Sequence, residues 1–117
     1  MYHAYNDRDG VTHEFTRNGL RHANALMGKN TFNMEDWEAI GEYDEKSGRH
    51  QAFVSPRKDV VIDGVSITKG ERIRIEESYK YSREEAKELW ESARLAENVI
   101  WATLKGDYGQ YMHTLRF

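Results

Sequence analysis

The chain has 117 residues, no cysteine and a formal net charge of −3. This length suits one ordinary domain, and the lack of cysteine excludes disulfides, thiolate metal ligands and a cysteine nucleophile. The slightly acidic balance gives no global attraction to nucleic acid or to an anionic membrane. Because neither a signal peptide nor a run of about 20 apolar residues is present, we expect a soluble, cytoplasmic protein.

The first third of the chain predicts a hairpin followed by a short helix. Residues 2–5 and 11–16 flank the run Asn6-Asp7-Arg8-Asp9-Gly10, whose composition is that of a turn ending in a left-handed glycine. From 17 to 27 apolar residues recur three or four apart and Gly28 follows, which favours a short helix. Asn33 and Asp36 then predict one helical turn that passes into a strand near Glu38.

The middle of the chain predicts further hairpins. Residues 38–43 and 49–54 bracket the loop 44–48, and Asp63-Gly64 separates two short β-branched runs, a strong hairpin signal. If the next turn has three residues with Gly70 left-handed, Val65 lies opposite Ile73, whereas a two-residue turn would divide the apolar side chains between the two faces. This register predicts a meander whose inner face carries Ile62, Val65, Ile67, Ile73 and Ile75 and whose outer face carries Ser66, Arg72, Arg74 and Glu76.

The segment 82–105 has the longest helical period in the chain. It opens with Ser82 and Glu85, spaced as a capping box, and its apolar residues recur at helical spacing. It predicts a long amphipathic helix whose core contacts are Leu89, Trp90, Ile100, Trp101 and Leu104. The aromatic tail 106–117 is predicted to dock, either on its own core or on a second copy, because disordered tails are poor in bulky apolar residues.

These elements predict an α+β fold in which a small antiparallel sheet of hairpins packs against a long C-terminal amphipathic helix. One domain is expected over residues 1–117, with hairpins and a short helix in 1–81, the main helix in 82–105 and the docked tail in 106–117.

Apolar residues also lie on the side of the predicted helix opposite its core stripe. A helix that is apolar all round is buried all round, so the docked tail or the first hairpin covers this side, or a second copy does. The second alternative predicts a homo-oligomer interface at Leu95, Val99, Trp101, Tyr108, Tyr111 and Phe117.

A local basic set predicts an anion site. Arginine forks suit phosphate or carboxylate groups, and nearby tyrosines could stack a base. The residues are Arg49, His50, Arg57, Lys58, Arg72, Arg74, Tyr79 and Tyr81. The competing interpretation is a solvated outer face, because acidic residues are interleaved with the basic ones.

No catalytic motif, metal-ligand spacing or glycine-rich phosphate loop stands out, so we expect no metal, no cofactor and no enzymatic activity. The composition resembles that of accessory proteins of phages and mobile elements, including inhibitors of host defence. The missing motifs and the surplus of aromatic residues favour a non-enzymatic binding protein of the host cytoplasm. It would act by occupying the surface of a partner such as a host protein, or by sequestering a small anionic ligand such as a nucleotide. The alternatives are a small phosphodiesterase or nuclease using His50 with Arg49, Arg72 or Arg74, and a structural component of a larger assembly.

Overall fold

A computed structural model describes residues 5–105 and 108–115. The chain divides into two compact units, residues 1–80 and 81–117. The single domain predicted over residues 1–117 stays a prediction.

The first unit begins with helix α1, Val11–Met27, and a 3₁₀ turn at Met34–Asp36. Strands β1 (Trp37–Asp44), β2 (Arg49–Pro56) and β5 (Ile73–Tyr79) form an antiparallel sheet in the order β1-β2-β5. Strands β3 (Val60–Ile62) and β4 (Val65–Ile67) form a separate hairpin. Helix α1 packs against β1 and β2.

The core of the first unit lies between α1 and one face of this sheet. Leu20 of α1, Trp37 of β1 and Val54 of β2 are buried together, and Trp37 is only 1% exposed. Half-buried Phe32 packs edge-on against Trp37, with ring centroids 5.5 Å apart. Because aromatic burial dominates the energetics of small cores, Trp37 is the main anchor of this unit.

The second unit contains helix α2, Arg83–Ser92, followed by a two-stranded ribbon of β6 (Leu95–Ala102) and β7 (Gly109–Leu115). The Ser82–Glu85 capping box is present as predicted. Trp90 of α2 packs beside the rings of Tyr111 and His113, at centroid distances of 5.8 and 4.4 Å.

The predicted fold is wrong in its C-terminal half. In the described residues there are two helices and seven strands, and α2 has 10 residues where a helix over 82–105 was expected. Arg94 takes a left-handed φ of 55° that ends the helix, and β-branched Val99 and Ile100 then pair with Met112 and Tyr111.

The core expected for that helix is also wrong in part. Trp101 and Leu104 are exposed, and Leu89 is exposed on α2. Trp101 and Leu104 are exposed because the helical stripe of residues 82–105 does not exist beyond Ser92.

The first predicted hairpin is wrong as well. Residues 11–16 open α1, because the Asp7 carboxylate accepts hydrogen bonds from the backbone N–H groups of Val11 (2.8 Å) and Thr12 (2.7 Å). These bonds satisfy helix N–H groups that would otherwise lack a partner, and they lower the pKa of Asp7 to about 2. Gly10 is left-handed, as predicted, with φ 72°.

The hairpins at 44–48 and at Asp63-Gly64 are confirmed, and so is the helical turn before β1. The predicted meander is wrong, because β5 pairs with β2 and leaves β3 and β4 as their own ribbon. Val65 and Ile75, expected on a buried inner face, are exposed. Within the described residues, no helix is both long and apolar enough to cross a membrane.

Candidate functional site

The two faces of the β1-β2-β5 sheet carry different kinds of side chain. Residues paired directly across neighbouring strands lie on the same face. The pairs Trp37↔Pro56, Ala39↔Val54, Gly41↔Ala52 and Tyr43↔His50 therefore define the face that α1 covers. At one end of this face lies the Trp37 core, and at the other end lies a cavity.

This cavity has a volume of about 140 Å³. Gly41, Ala52, His50 and Glu76 line it from the sheet. Its wall is formed by residues of α1 and by the segment before α1, namely Tyr5, Thr12, His13, Phe15 and Thr16. All of these residues belong to the first unit. We call this cavity the sheet pocket.

Gly41 lets the segment before α1 reach the sheet. A Cβ at this position would lie 2.9 Å from the side-chain oxygen of Asn6 and 3.1 Å from the carbonyl of Tyr5. Asn6 donates a hydrogen bond to the Gly41 carbonyl (3.2 Å), and its side-chain oxygen lies 2.8 Å from Nε2 of His13. A residue without a side chain is therefore required at this point of the floor.

Tyr5 holds the ring of His50. The two rings stack with centroids 3.6 Å apart and an interplanar angle of 14°. The Tyr5 hydroxyl lies 3.5 Å from Oγ of Ser78, and the Lys80 ammonium lies 4.9 Å from the Tyr5 ring centroid. Burial raises the pKa of Tyr5, but hydrogen bonds from Lys80 and Ser78 outweigh it and lower the pKa below its usual value.

His50 is buried on the pocket floor. It is 3% exposed, and neither ring nitrogen has a hydrogen-bond partner among the residues that the structure describes. Burial lowers the pKa of the imidazole below 6.5, and the Lys80 charge lowers it further, while the Glu76 charge acts in the opposite direction. The ring is therefore neutral at physiological pH, with one donor and one acceptor nitrogen.

Glu76 reaches the pocket because of a β-bulge. Ala52 pairs with Glu76 but Phe53 pairs with Arg74, so Ile75 is an extra residue in β5. In a regular strand without the bulge, side chains would alternate between the faces, with Ile73 and Ile75 on the covered face and Glu76 on the opposite face. The bulge instead puts Ile73 against the core and Glu76 at the pocket, a common use of bulges.

The Glu76 carboxylate makes no ion pair or hydrogen bond within 5–105 and 108–115. It is exposed at the rim of the pocket. The pocket thus combines an anionic acceptor at its rim with a neutral imidazole on its floor, which suits a small ligand carrying N–H donors.

The opposite face of the sheet is a network of ion pairs. Arg49 contacts Asp44 at 3.3 Å and Glu77 at 3.0 Å, and it donates a hydrogen bond to the Tyr79 hydroxyl at 3.3 Å. Hydrogen bonding to Tyr79 is the largest cause of a raised Arg49 pKa, with the Glu77 charge also contributing. Arg74 pairs with Glu77. Arg72, just before β5, pairs with Glu42 and lies over the Phe53 ring.

The structure therefore divides the residues of the predicted anion site. Arg49, Arg74 and Tyr79 lie on the ion-pair face, whereas His50 alone lines the sheet pocket. Arg57 and Lys58 follow β2 and contact Glu38 (3.8 Å) and Asp36 (2.9 Å). Tyr81 belongs to the second unit. Their role as ligand contacts stays a prediction.

The residues of the predicted interface lie on the β6-β7 ribbon. Leu95 and Val99 are half-buried in β6, while Trp101 is exposed. Tyr108 is exposed before β7, and Tyr111 of β7 packs beside Trp90. Phe117 lies outside the described residues. Their role in an interface stays a prediction.

Most residues of the pocket were not predicted from the sequence. The sequence pattern predicted Glu76 on a solvated outer face, because strict alternation of side chains along a strand does not reveal a bulge. The wall from α1 was missed because Thr12 and Thr16 favour a strand by propensity, although Thr12, Thr16 and Leu20 recur four apart, which is helical spacing.

Comparison with known proteins identifies relatives over nearly the whole chain. Residues 1–115 match the family model described as histidine-specific methyltransferase, SAM-dependent. Ergothioneine biosynthesis protein 1 of Neurospora crassa is 48% identical over 96% of this chain and 13% of its own length. The Schizosaccharomyces pombe protein of the same name is 33% identical over 97% of the chain and 15% of its own length.

A third relative has a different substrate in its name. The 4-dimethylallyltryptophan N-methyltransferase of Aspergillus fumigatus is 32% identical over 92% of the chain and 34% of its own length. The chain thus spans between about an eighth and a third of the length of these relatives.

These matches overturn the predicted function. A non-enzymatic, inhibitory accessory protein of a phage is wrong, as are the phosphodiesterase and structural alternatives, because the matching family consists of methyltransferases. The predicted partners, a host protein or a small anionic ligand such as a nucleotide, are wrong as well, because the family description names S-adenosylmethionine and histidine. The predicted homo-oligomer stays a prediction.

The described residues do not fit S-adenosylmethionine itself. A pocket of about 140 Å³ is smaller than the roughly 300–1,000 Å³ of sites that enclose drug-sized ligands. Nucleotide-type cofactors bind at the carboxyl ends of parallel strands in open α/β sheets, whereas the sheet beside this pocket is antiparallel. The pocket instead suits one small ring or one ammonium group.

Proposed function

Because the chain belongs to the histidine-specific, SAM-dependent methyltransferase family, we propose that it forms the part of such an enzyme that binds the amino acid to be methylated. The whole protein then transfers a methyl group from S-adenosylmethionine to a nitrogen of histidine. A role in ergothioneine biosynthesis, as in the names of two relatives, and a cytoplasmic location, which suits a cysteine-free chain, are parts of this proposal.

The observation that carries the proposal is the unpartnered Glu76 carboxylate at the sheet pocket. An imidazole ring carries at least one N–H donor at every pH near neutrality, and an ionised carboxylate offers only acceptors. A hydrogen bond to a charged acceptor contributes about 1.5–3 kcal/mol. Glu76 therefore supplies a specific contact for the side chain of histidine.

Histidine suits this pocket better than a prenylated tryptophan. A volume of about 140 Å³ accommodates a five-membered ring, whereas an indole with a five-carbon substituent needs a pocket of the ordinary drug-binding size. The identity of 48% to the ergothioneine biosynthesis protein of Neurospora crassa supports the same choice.

The test measures the binding of L-histidine to the intact protein by calorimetry, together with methyl transfer by mass spectrometry. Glu76→Gln keeps the shape of the side chain but removes its charge, so the dissociation constant for L-histidine should rise at least about tenfold. Glu77→Gln is the matched control, because Glu77 is the next residue of β5 and lies on the ion-pair face. It should bind L-histidine within about twofold of wild type.

Equal effects of the two substitutions, or no binding of L-histidine by the wild type, would contradict the proposal. Tighter binding of L-tryptophan than of L-histidine would instead favour an indole substrate, as in the name of the Aspergillus fumigatus relative.

A further inference from the structure

His50 combines three properties that together indicate a ligand contact. It lines the sheet pocket, it is 3% exposed, and both of its ring nitrogens lack a partner in the part of the chain that the structure describes. Buried polar groups are almost always hydrogen-bonded, and each exception needs an explanation. A bound ligand that pairs with the ring provides one.

The ring of His50 is held in place before any ligand binds. Tyr5 stacks on it at 3.6 Å, and β2 is the central strand of the sheet, paired on both sides. Gly41 in turn permits the close approach of the Tyr5 segment. A fixed ring loses little conformational freedom when it forms a hydrogen bond, so the position is preorganised for binding.

We propose that His50 hydrogen-bonds the ring nitrogen of a bound imidazole that Glu76 does not contact, so that the two side chains together select a substrate with two ring nitrogens. This inference rests on the proposed function, because it takes histidine as the ligand of the sheet pocket. It assigns to His50 a role in specificity that is separate from the contact made by Glu76.

The chemistry of the two side chains matches the two nitrogens of imidazole. A neutral imidazole has one N–H donor and one acceptor nitrogen. The Glu76 carboxylate can accept from the N–H group, and an N–H of neutral His50 can donate to the other nitrogen. An indole or a pyrrole has only one nitrogen, so it would leave the buried His50 ring without a hydrogen-bond partner in the complex. An unpaired buried polar group weakens binding, so the site should bind such a ligand less tightly than histidine.

The test compares L-histidine with two analogues in which one ring nitrogen is replaced by carbon, 3-(pyrrol-2-yl)alanine and 3-(pyrrol-3-yl)alanine. Binding to the intact protein is measured by calorimetry, without S-adenosylmethionine. The wild type should bind L-histidine about tenfold more tightly than the analogue that keeps the nitrogen facing Glu76, because that analogue loses one hydrogen bond.

His50→Phe keeps an aromatic ring to stack on Tyr5 but removes both nitrogens. It should bind L-histidine about tenfold more weakly and should no longer distinguish L-histidine from that analogue. His50→Gln, which retains a donor and an acceptor, should restore part of the discrimination. His22→Phe is the control, because His22 is exposed on α1 and outside the sheet pocket, and it should leave all affinities unchanged.

The proposal is overturned if His50→Phe binds L-histidine as tightly as wild type, or if its preference over both analogues is unchanged. If a thermal unfolding control shows that His50→Phe does not fold, the affinities of the wild type are used instead. Equal wild-type affinities for L-histidine and either analogue would also overturn the proposal. Failure of the wild type to bind L-histidine would remove the proposed function as well. Binding that Glu76→Gln weakens and His50→Phe does not would remove only this inference.

Discussion

The two faces of the β1-β2-β5 sheet differ in whether their charged and polar groups have partners. On the exposed face Arg49, Arg72 and Arg74 each pair with a carboxylate. On the covered face Glu76 and His50 line a cavity and lack hydrogen-bond partners within the described ranges. Satisfied charges stabilise the sheet modestly, whereas a solvated carboxylate and an unsatisfied imidazole beside a cavity are available to a ligand. The comparison shows that pairing, rather than the number of charges, distinguishes the two faces.

Exchanging Ile75 and Glu76 should break this difference most strongly. Ile75 is the extra residue of the bulge and Glu76 pairs with Ala52, so the double variant Ile75→Glu, Glu76→Ile keeps the residue count but places an isoleucine at the pocket. We expect the binding of L-histidine to weaken by about a hundredfold or more, since the Glu76 contact and the shape of the pocket are both lost. Calorimetry measures the loss.

The control for this exchange is Ile75→Thr, which changes a side chain that is 46% exposed and leaves Glu76 in place. It should bind L-histidine normally. If the exchange variant folds and binds L-histidine as well as the wild type does, the Glu76 carboxylate does not contact the ligand.

Trp37→Ala tests the core end of the covered face. Trp37 is 1% exposed and contacts the hydrophobic cluster of the first unit, so we expect a loss of about 3–5 kcal/mol in the free energy of unfolding. Urea denaturation measures it. Trp101→Ala, at an exposed tryptophan of the second unit, should cost far less, and equal losses would argue against Trp37 as the main anchor.

Gly41→Ala tests the contact between the sheet and the segment before α1. The added Cβ would lie 2.9 Å from Asn6 Oδ1, so the segment must move, at a cost of about 1–3 kcal/mol. Tyr5 would move with it, and the binding of L-histidine should weaken along with the stability. Gly19→Ala is the control, since a Cβ there meets nothing within 4 Å. Unchanged stability in Gly41→Ala would contradict the close packing.

The pH dependence of stability tests the burial of His50. Because burial lowers the folded-state pKa below 6.5, the unfolded chain binds a proton first as the pH falls. The stabilisation is therefore present above pH 6.5 and is lost as the pH falls from 6.5 through the folded-state pKa. Urea denaturation between pH 7.5 and 5 should show this loss. In His50→Phe the free energy of unfolding should depend less steeply on pH over this range. An unchanged pH dependence would show that His50 is not the group responsible.

The smallest effect is expected on the ion-pair face. Arg72 and Glu42 are both nearly half exposed, at 48% and 46%, so Arg72→Ala should change the free energy of unfolding by about 1 kcal/mol or less. The binding of L-histidine should be unchanged. A large loss of binding in Arg72→Ala would mean that the ligand contacts the ion-pair face.

Local features of the fold were predictable from the sequence. The Ser82–Glu85 capping box, the turn at Asp63-Gly64 and the left-handed Gly70 each depend on a few neighbouring residues, and each is present. Residues 93–105 were not predictable in this way. Their helical period is real, but pairing of Val99 and Ile100 with the tail is a long-range contact that overrides the local preference.

The pocket could be predicted only in part. His50 was selected from its charge type, but it was grouped with arginines that lie on the opposite face or outside the sheet. The contribution of Glu76 depends on the bulge at Ile75, and that of Tyr5 depends on the close approach at Gly41. Both are matters of three-dimensional register, which composition and spacing do not encode.

The most direct test of the central claim is an NMR study of L-histidine bound to the intact protein. If the sheet pocket binds the substrate side chain, the imidazole protons should show nuclear Overhauser effects to the methyl groups of Ala52 and Thr16, which line the cavity. Contacts from the imidazole to Arg74 or Tyr79 instead would place the ligand on the ion-pair face and would contradict the account.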